Sequence, residues 1–270
     1  MIKKITSFFF LKVCILTLVI SHNSIGSNLN TGINGKLQRA KELYNQRENV
    51  ERLKSAIDLY ENILEQLPKR KETFNKKRTK VLVELSKCYY KMAVYHAKNN
   101  REKVAWFKLG EKHGREAILL DTENVGGYYW MAQNLGELGG INKLYFLNKR
   151  NDFEKALIKA ETLDNPQDPY DYAGIYRILT AYNTPRYLWG NLEKALEYAR
   201  KMENSSRYLS NLSVLADLYW KVDKTIAKDY AKRVIDADLS QFPETQFENS
   251  LEQKEVVDKW SKLLKDTRQM

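Results

Sequence analysis

The stretch Ala56-Ile-Asp-Leu-Tyr60-Glu-Asn-Ile63-Leu-Glu-Gln-Leu-Pro68 decides the fold class. A small residue at 56 and apolar residues at 60 and 63 fall on one helical face, and Pro68 cannot continue the helix. Altered forms return as Asp152-Phe-Glu-Lys-Ala156 and as Gly190-Asn-Leu-Glu-Lys-Ala195. Each follows a segment with helical spacing of its own, such as Leu82, Leu85, Ser86 and Tyr89. Strand signals are nearly absent, since no stretch alternates apolar and polar residues between paired turn signals.

The recurrence reads as helix-turn-helix units of the tetratricopeptide type, with a period of about 34 residues. The expected fold is all-α: a right-handed tetratricopeptide-like superhelix of about five helix pairs plus a terminal helix. Pair one joins Leu37, Ala40, Leu43 and Tyr44 to a helix over 50–67. Pair two joins the Leu82 helix to one carrying Gly110, Gly114 and Ala117, with an extension over 95–104 between them. Pair three opens at Val125 and buries Tyr128, Met131, Ala132 and Leu135. Gly136-Glu-Leu-Gly-Gly140 reads as a helix stop with a turn, and a second helix follows an insertion and runs through Ala156, Ala160 and Leu163. Pair four spans 172–182, breaks at Pro185 and resumes over 192–202. Pair five carries Leu212, Leu215, Ala216 and Tyr219, then Ala227, Ala231 and Val234. A helix over 250–265 caps the stack, which otherwise leaves apolar surface in water.

Residues 1–26 read as a secretory signal peptide. Lys3 and Lys4 precede an apolar run from Phe8 to Ile20, and Ser24 and Gly26 supply small residues at a cleavage site. The run is shorter than the roughly 20 residues that span a bilayer, which favours cleavage over an N-terminal anchor. Lys12 occupies a place where a lipid-attachment motif wants a small or apolar residue, which argues against lipidation of Cys14. The expectation is a periplasmic or secreted protein whose repeat domain is residues 27–270, opening with a flexible lead-in over 27–35. Without residues 1–26 only Cys88 remains, so packing rather than disulfides must stabilise the domain. Removing Lys3, Lys4 and Lys12 takes the formal net charge from +11 to +8. Acids interleave with the basic residues along most helices, so the charge reads as solvated faces with some attraction to anionic partners.

Chemistry-bearing motifs are scarce. His96 and His113 have no second ligand at metal spacing, so no metal site is expected. There is no Gly-x-Ser-x-Gly elbow, and Gly136, Gly139 and Gly140 lack the Lys-Ser/Thr of a phosphate loop. The expectation is a non-enzyme without a cofactor. Lys69-Arg-Lys71 and Lys76-Lys-Arg78 form the densest basic stretch. Its aromatics do not alternate with the basics as a stacking platform for nucleic acid requires, so no nucleic-acid partner is expected. The aromatics lead elsewhere, with 17 Tyr and 5 Trp in the chain. The first helix of a tetratricopeptide unit lines the groove, and the buried positions set its phase. This places Lys87 and Tyr90, Tyr129 and Gln133, Arg177, and Asp217 and Trp220 in the groove, although Tyr129 and Trp220 equally suit packing between helices. Such a groove fits a peptide, a protein segment or a small organic ligand.

A more specific likeness rests on three stretches: Tyr128-Tyr-Trp-Met-Ala-Gln-Asn-Leu-Gly136, Pro169-Tyr-Asp-Tyr-Ala-Gly174 with Arg177, and Trp189-Gly-Asn-Leu-Glu-Lys-Ala195. Over residues 37–240 the chain resembles the TatT family, the tetratricopeptide-like accessory component of some tripartite ATP-independent periplasmic (TRAP) transporters. The resemblance implies a periplasmic helical protein that associates with a solute-binding subunit. It also implies a possible homo-oligomer, a trimer, and a passage or cleft in the stack for a small hydrophobic or organic ligand. Groove residues carry over at Tyr129, Gln133 and Arg177. A general scaffold for envelope protein assembly is the alternative function.

Overall fold

The structure is a computed structural model that describes residues 32–69, 72–185, 190–203 and 207–265. The expected signal peptide, Cys14, Arg70, Lys71 and Trp189 lie outside the described residues.

Among the described residues the fold is all-α, as the periodicity predicts. Helix α1 spans 32–44 and pairs with α2, Val50–Gln66. Then come α3 (Asn75–Tyr95) with α4 (Asn100–Leu120), and α5 (Val125–Ile141) with α6 (Lys143–Leu163). The last pairs are α7 (Tyr170–Asn183) with α8 (Leu192–Met202), and α9 (Leu209–Tyr219) with α10 (Lys224–Ile235). Helix α11, Gln246–Lys265, ends the described chain. Consecutive helices pack as hairpins, and α3, α5, α7, α9 and α11 each touch the next in that series.

Polar side chains set the starts. The side chains of Asn49, Asn99, Asn124, Asn142, Asn191 and Asp223 each accept from a backbone N–H of the first turn that follows. Each such cap contributes about 1 kcal/mol. Helix α9 has no cap of its own. Instead Asn249 of α11 accepts from the Leu209 backbone N–H at 2.9 Å and donates to the Arg207 carbonyl at 3.0 Å.

Four local expectations are corrected. The lead-in over 27–35 is helical from residue 32, because Ile33 is buried against the α1–α3 core. The extension over 95–104 is only a turn at 96–99, and the extra length lies in α3 and α4, 21 residues each. The insertion ahead of Ala156 is the first turns of α6, which only Asn142 separates from α5. Gly136–Gly140 does not stop α5, which runs on to Ile141. Gly136 and Gly139 serve close approach: a Cβ on Gly139 would stand 2.7 Å from Phe146 Cγ, and one on Gly136 would stand 3.2 Å from the Phe153 ring.

The core has two main bodies, and α3 belongs to both. Its Leu82 and Val83 join the large cluster that runs on through α5, α7 and α9 to α11. Its Val81, Leu85, Cys88 and Tyr89 face the cluster formed with α1 and α2. A helix buried on two faces gives up the single apolar stripe of a surface helix, which is why its pattern reads so densely apolar.

Candidate functional site

The site grows from one face of α5. Tyr129, Gln133 and Glu137 follow at four-residue steps and so point the same way. Tyr129 is wholly buried. Its hydroxyl donates to the Asp171 carboxylate through a short contact and accepts from Arg177 Nη2 at 3.0 Å. Arg177 Nη2 also reaches Asp171 Oδ2 at 3.1 Å, and its Nη1 donates to Asn211 Oδ1 at 2.9 Å. Asn211 Nδ2 in turn donates to the Tyr172 carbonyl at 2.8 Å. The guanidinium lies 4.6 Å from the centre of the Tyr208 ring. Five residues from α5, α7 and α9 thus share one network around the buried Arg177.

That network holds an unusual backbone. Asp171, Tyr172 and Ala173 have φ of 50°, 56° and 63°, three successive non-glycine residues in the left-handed region. Each costs about 1–2 kcal/mol. The turn aims Asp171 inward at Arg177 and Tyr129. Gly174 then passes so close to Tyr129 that a Cβ would stand 2.8 Å from its Cζ. Burial works to lower the Arg177 pKa, but Tyr129 and Asp171 outweigh it, so the guanidinium stays charged. Burial works to raise the Asp171 pKa, and Arg177 and Lys91 hold it below the usual range. The pair is a fixed ion pair rather than a proton donor and acceptor.

Beside the network lies a cavity of about 610 Å³. Tyr90 of α3, Gln133 and Glu137 of α5, Arg177 of α7 and Ser210 of α9 form its polar side. Phe146, Leu147 and Phe153 of α6, with Ile178 and Val214, form its apolar side. Gln133 Nε2 donates to the Tyr90 hydroxyl at 2.7 Å, and that hydroxyl lies 3.4 Å from Glu137 Oε1. The glycines of α5 bring the α6 rings to the cavity wall.

The groove residues expected from phase divide accordingly. Tyr90, Gln133 and Arg177 line the cavity, and Tyr129 lies beneath it and holds Arg177. Lys87 faces the first helix pair, with Nζ 4.3 Å from the centre of the Tyr44 ring and 3.9 Å from Glu84. Asp217 and Trp220 are covered by α11: Lys259 binds Asp217, and Trp260 meets Trp220 edge-on at 5.1 Å. The phase rule passes over Glu137, although it stands one turn beyond Gln133, because Gly136–Gly140 reads as a turn. The α6 wall carries no sequence signal beyond ordinary core aromatics.

A second polar cluster joins distant parts of the chain. Glu248 at the start of α11 is 6% exposed. It accepts from Arg47 Nε at 2.6 Å, pairs with Lys91 at 3.2 Å and accepts from the Tyr95 hydroxyl at 3.2 Å. Phe247 meets the Tyr95 ring edge-on at 5.0 Å. Burial works to raise the Glu248 pKa, yet Lys91 and Arg47 outweigh it and bring it down to about 2.

Cys88 and His113 are sequestered. Burial pushes the Cys88 thiol well up, and burial lowers the His113 pKa where its ring stacks on Tyr89. Among the described residues no three His, Cys, Asp or Glu side chains gather as a metal site. No helix among them is long and apolar enough to cross a membrane. No family model matches the chain, and no curated protein matches it in sequence.

Proposed function

We propose that this chain is a non-catalytic, exported interaction protein whose helix pairs form a tetratricopeptide-like right-handed superhelix. The observation that carries the reading is the cavity, which residues from successive first helices α3, α5, α7 and α9 line together. Four elements converging on one concavity suit recognition of a partner. The likeness of the Tyr128, Pro169 and Trp189 stretches to the TatT family makes a solute-binding subunit of a TRAP-type transporter the proposed partner.

Residues 27–270 used as bait in envelope extract test this. A solute-binding subunit is expected in stoichiometric amount, and Gln133→Trp, which fills the cavity from α5, is expected to weaken its capture at least tenfold. Capture unaffected by the tryptophan removes the cavity from the interface. Recovery of cell-wall or secretion proteins in place of the transporter subunit favours a general envelope scaffold.

A further inference from the structure

The cavity has a charge without a counter-charge. Glu137 is the only carboxylate among its described lining residues. Among the described residues it joins no ion pair, and its one hydrogen bond is the 3.4 Å contact from Tyr90. The basic groups of the same wall are engaged elsewhere. Arg177 is tied to Asp171, Tyr129 and Asn211. Lys143 sits exposed at the rim and is not free. Burial raises the Glu137 pKa; the Tyr90 hydroxyl and Lys103 of α4, outside ion-pair distance, work against the rise, and Glu255 of α11 adds to it. Glu252, on the same face of α11 as Glu255, binds Ser210 of the cavity wall and adds negative potential there.

The rest of the cavity is aromatic and aliphatic. Phe153 stands between Phe146 and Tyr182, with ring centres 5.2 Å apart on both sides. All three rings line the space that Glu137 enters. Aromatic faces carry partial negative charge and attract cations, and a carboxylate in a site partly walled from water gains most from a cationic partner. An anionic guest meets Glu137 and finds Arg177 already neutralised. A neutral apolar guest strips water from Glu137 and returns nothing for it.

We propose that the cavity binds an organic cation: a primary ammonium placed at Glu137, on an apolar body seated against Phe146, Leu147, Ile178 and Val214. The ammonium belongs either to a small amine or to a lysine within a protein segment. The site is independent of the transporter assignment, because it rests on the cavity alone.

Titration calorimetry with 4-phenylbutylamine, 4-phenylbutanol and 4-phenylbutyrate tests the charge. The amine is expected to bind at least tenfold more tightly than the alcohol, with the carboxylate weakest. Glu137→Gln removes the charge at an exposed position and is expected to bring the amine to the level of the alcohol, with an unchanged melting temperature showing that the fold survives. N-acetyl-Leu-Lys-Leu-amide separates the two sources. Tripeptide binding as tight as that of the amine assigns the site to a lysine-bearing segment, and binding of the amine alone assigns it to a small amine. Equal binding of amine, alcohol and carboxylate, an unaltered amine affinity in Glu137→Gln, or no amine binding at all overturns the proposal.

Discussion

At Tyr129 a single oxygen separates two roles for a residue. Its ring is core, and its hydroxyl bridges Asp171 and Arg177 under the cavity floor. Tyr129→Phe keeps the ring and leaves the buried Arg177 and the half-buried Asp171 each short of one partner. The expected loss is about 1–3 kcal/mol of folding stability, read from the denaturant midpoint. Because Tyr129 reaches the cavity only through Arg177, a loss of binding beyond the loss of folded protein reports a displaced guanidinium. The stretch Pro169-Tyr-Asp-Tyr-Ala-Gly174 marks this place in the sequence, but it does not reveal left-handed turns at Asp171, Tyr172 and Ala173. Such a backbone is stable only because Asn211 holds the Tyr172 carbonyl and Arg177 holds Asp171, from positions that local preference cannot register.

At the scale of the element, α5 and α6 show glycine in a packing role. Gly139 and Gly140 are neighbours on one helix, yet a Cβ on the first meets the Phe146 ring while one on the second meets nothing within 4 Å. Gly139→Ala is expected to destabilise, since the clash exceeds the gain of about 1 kcal/mol in helix propensity. Gly140→Ala is expected to stabilise by up to about 1 kcal/mol. Thermal melts of the two variants check the opposite signs, and a gain at both positions would mean that Phe146 yields freely. The hairpin order was legible here because apolar spacing persists through every pair. The continuation of α5 to Ile141 was not, because glycines that end a helix and glycines that admit a ring look alike until the ring is placed.

For the whole molecule, the cluster at Glu248 ties α11 to the α1–α2 turn and to the end of α3. Its depressed pKa makes the tie pH-dependent. The unfolded chain binds a proton at Glu248 near pH 4.3 and the folded chain only near pH 2, so stability is full above that window and is lost as pH falls through it. The contribution is about 3 kcal/mol. Glu248→Gln is expected to lower stability at neutral pH and to flatten the acid limb of the stability profile, measured by denaturation across pH 2–6. An acid limb as steep as the parent's would place the titrating group elsewhere. Ser250 to Lys265 reads as a capping helix in the sequence, and the structure extends it to Gln246, bringing Phe247 and Glu248 into the contact. A pairing of residues 47 and 248 leaves no trace in local periodicity, whereas the stacking of neighbours does.

The same tie changes how the array comes apart. Each unit of an open stack of helix pairs leans only on its neighbours, so the outer helices fray first and independently. Here the turn of the first described pair and the start of the last described helix hold each other. Loosening either one breaks the Arg47–Glu248 contact and exposes both. The chain thereby exchanges the graded melting of a linear array for a more concerted one. A polypeptide emerging in N-to-C order must hold α1 and α2 without their final partner until α11 has been made.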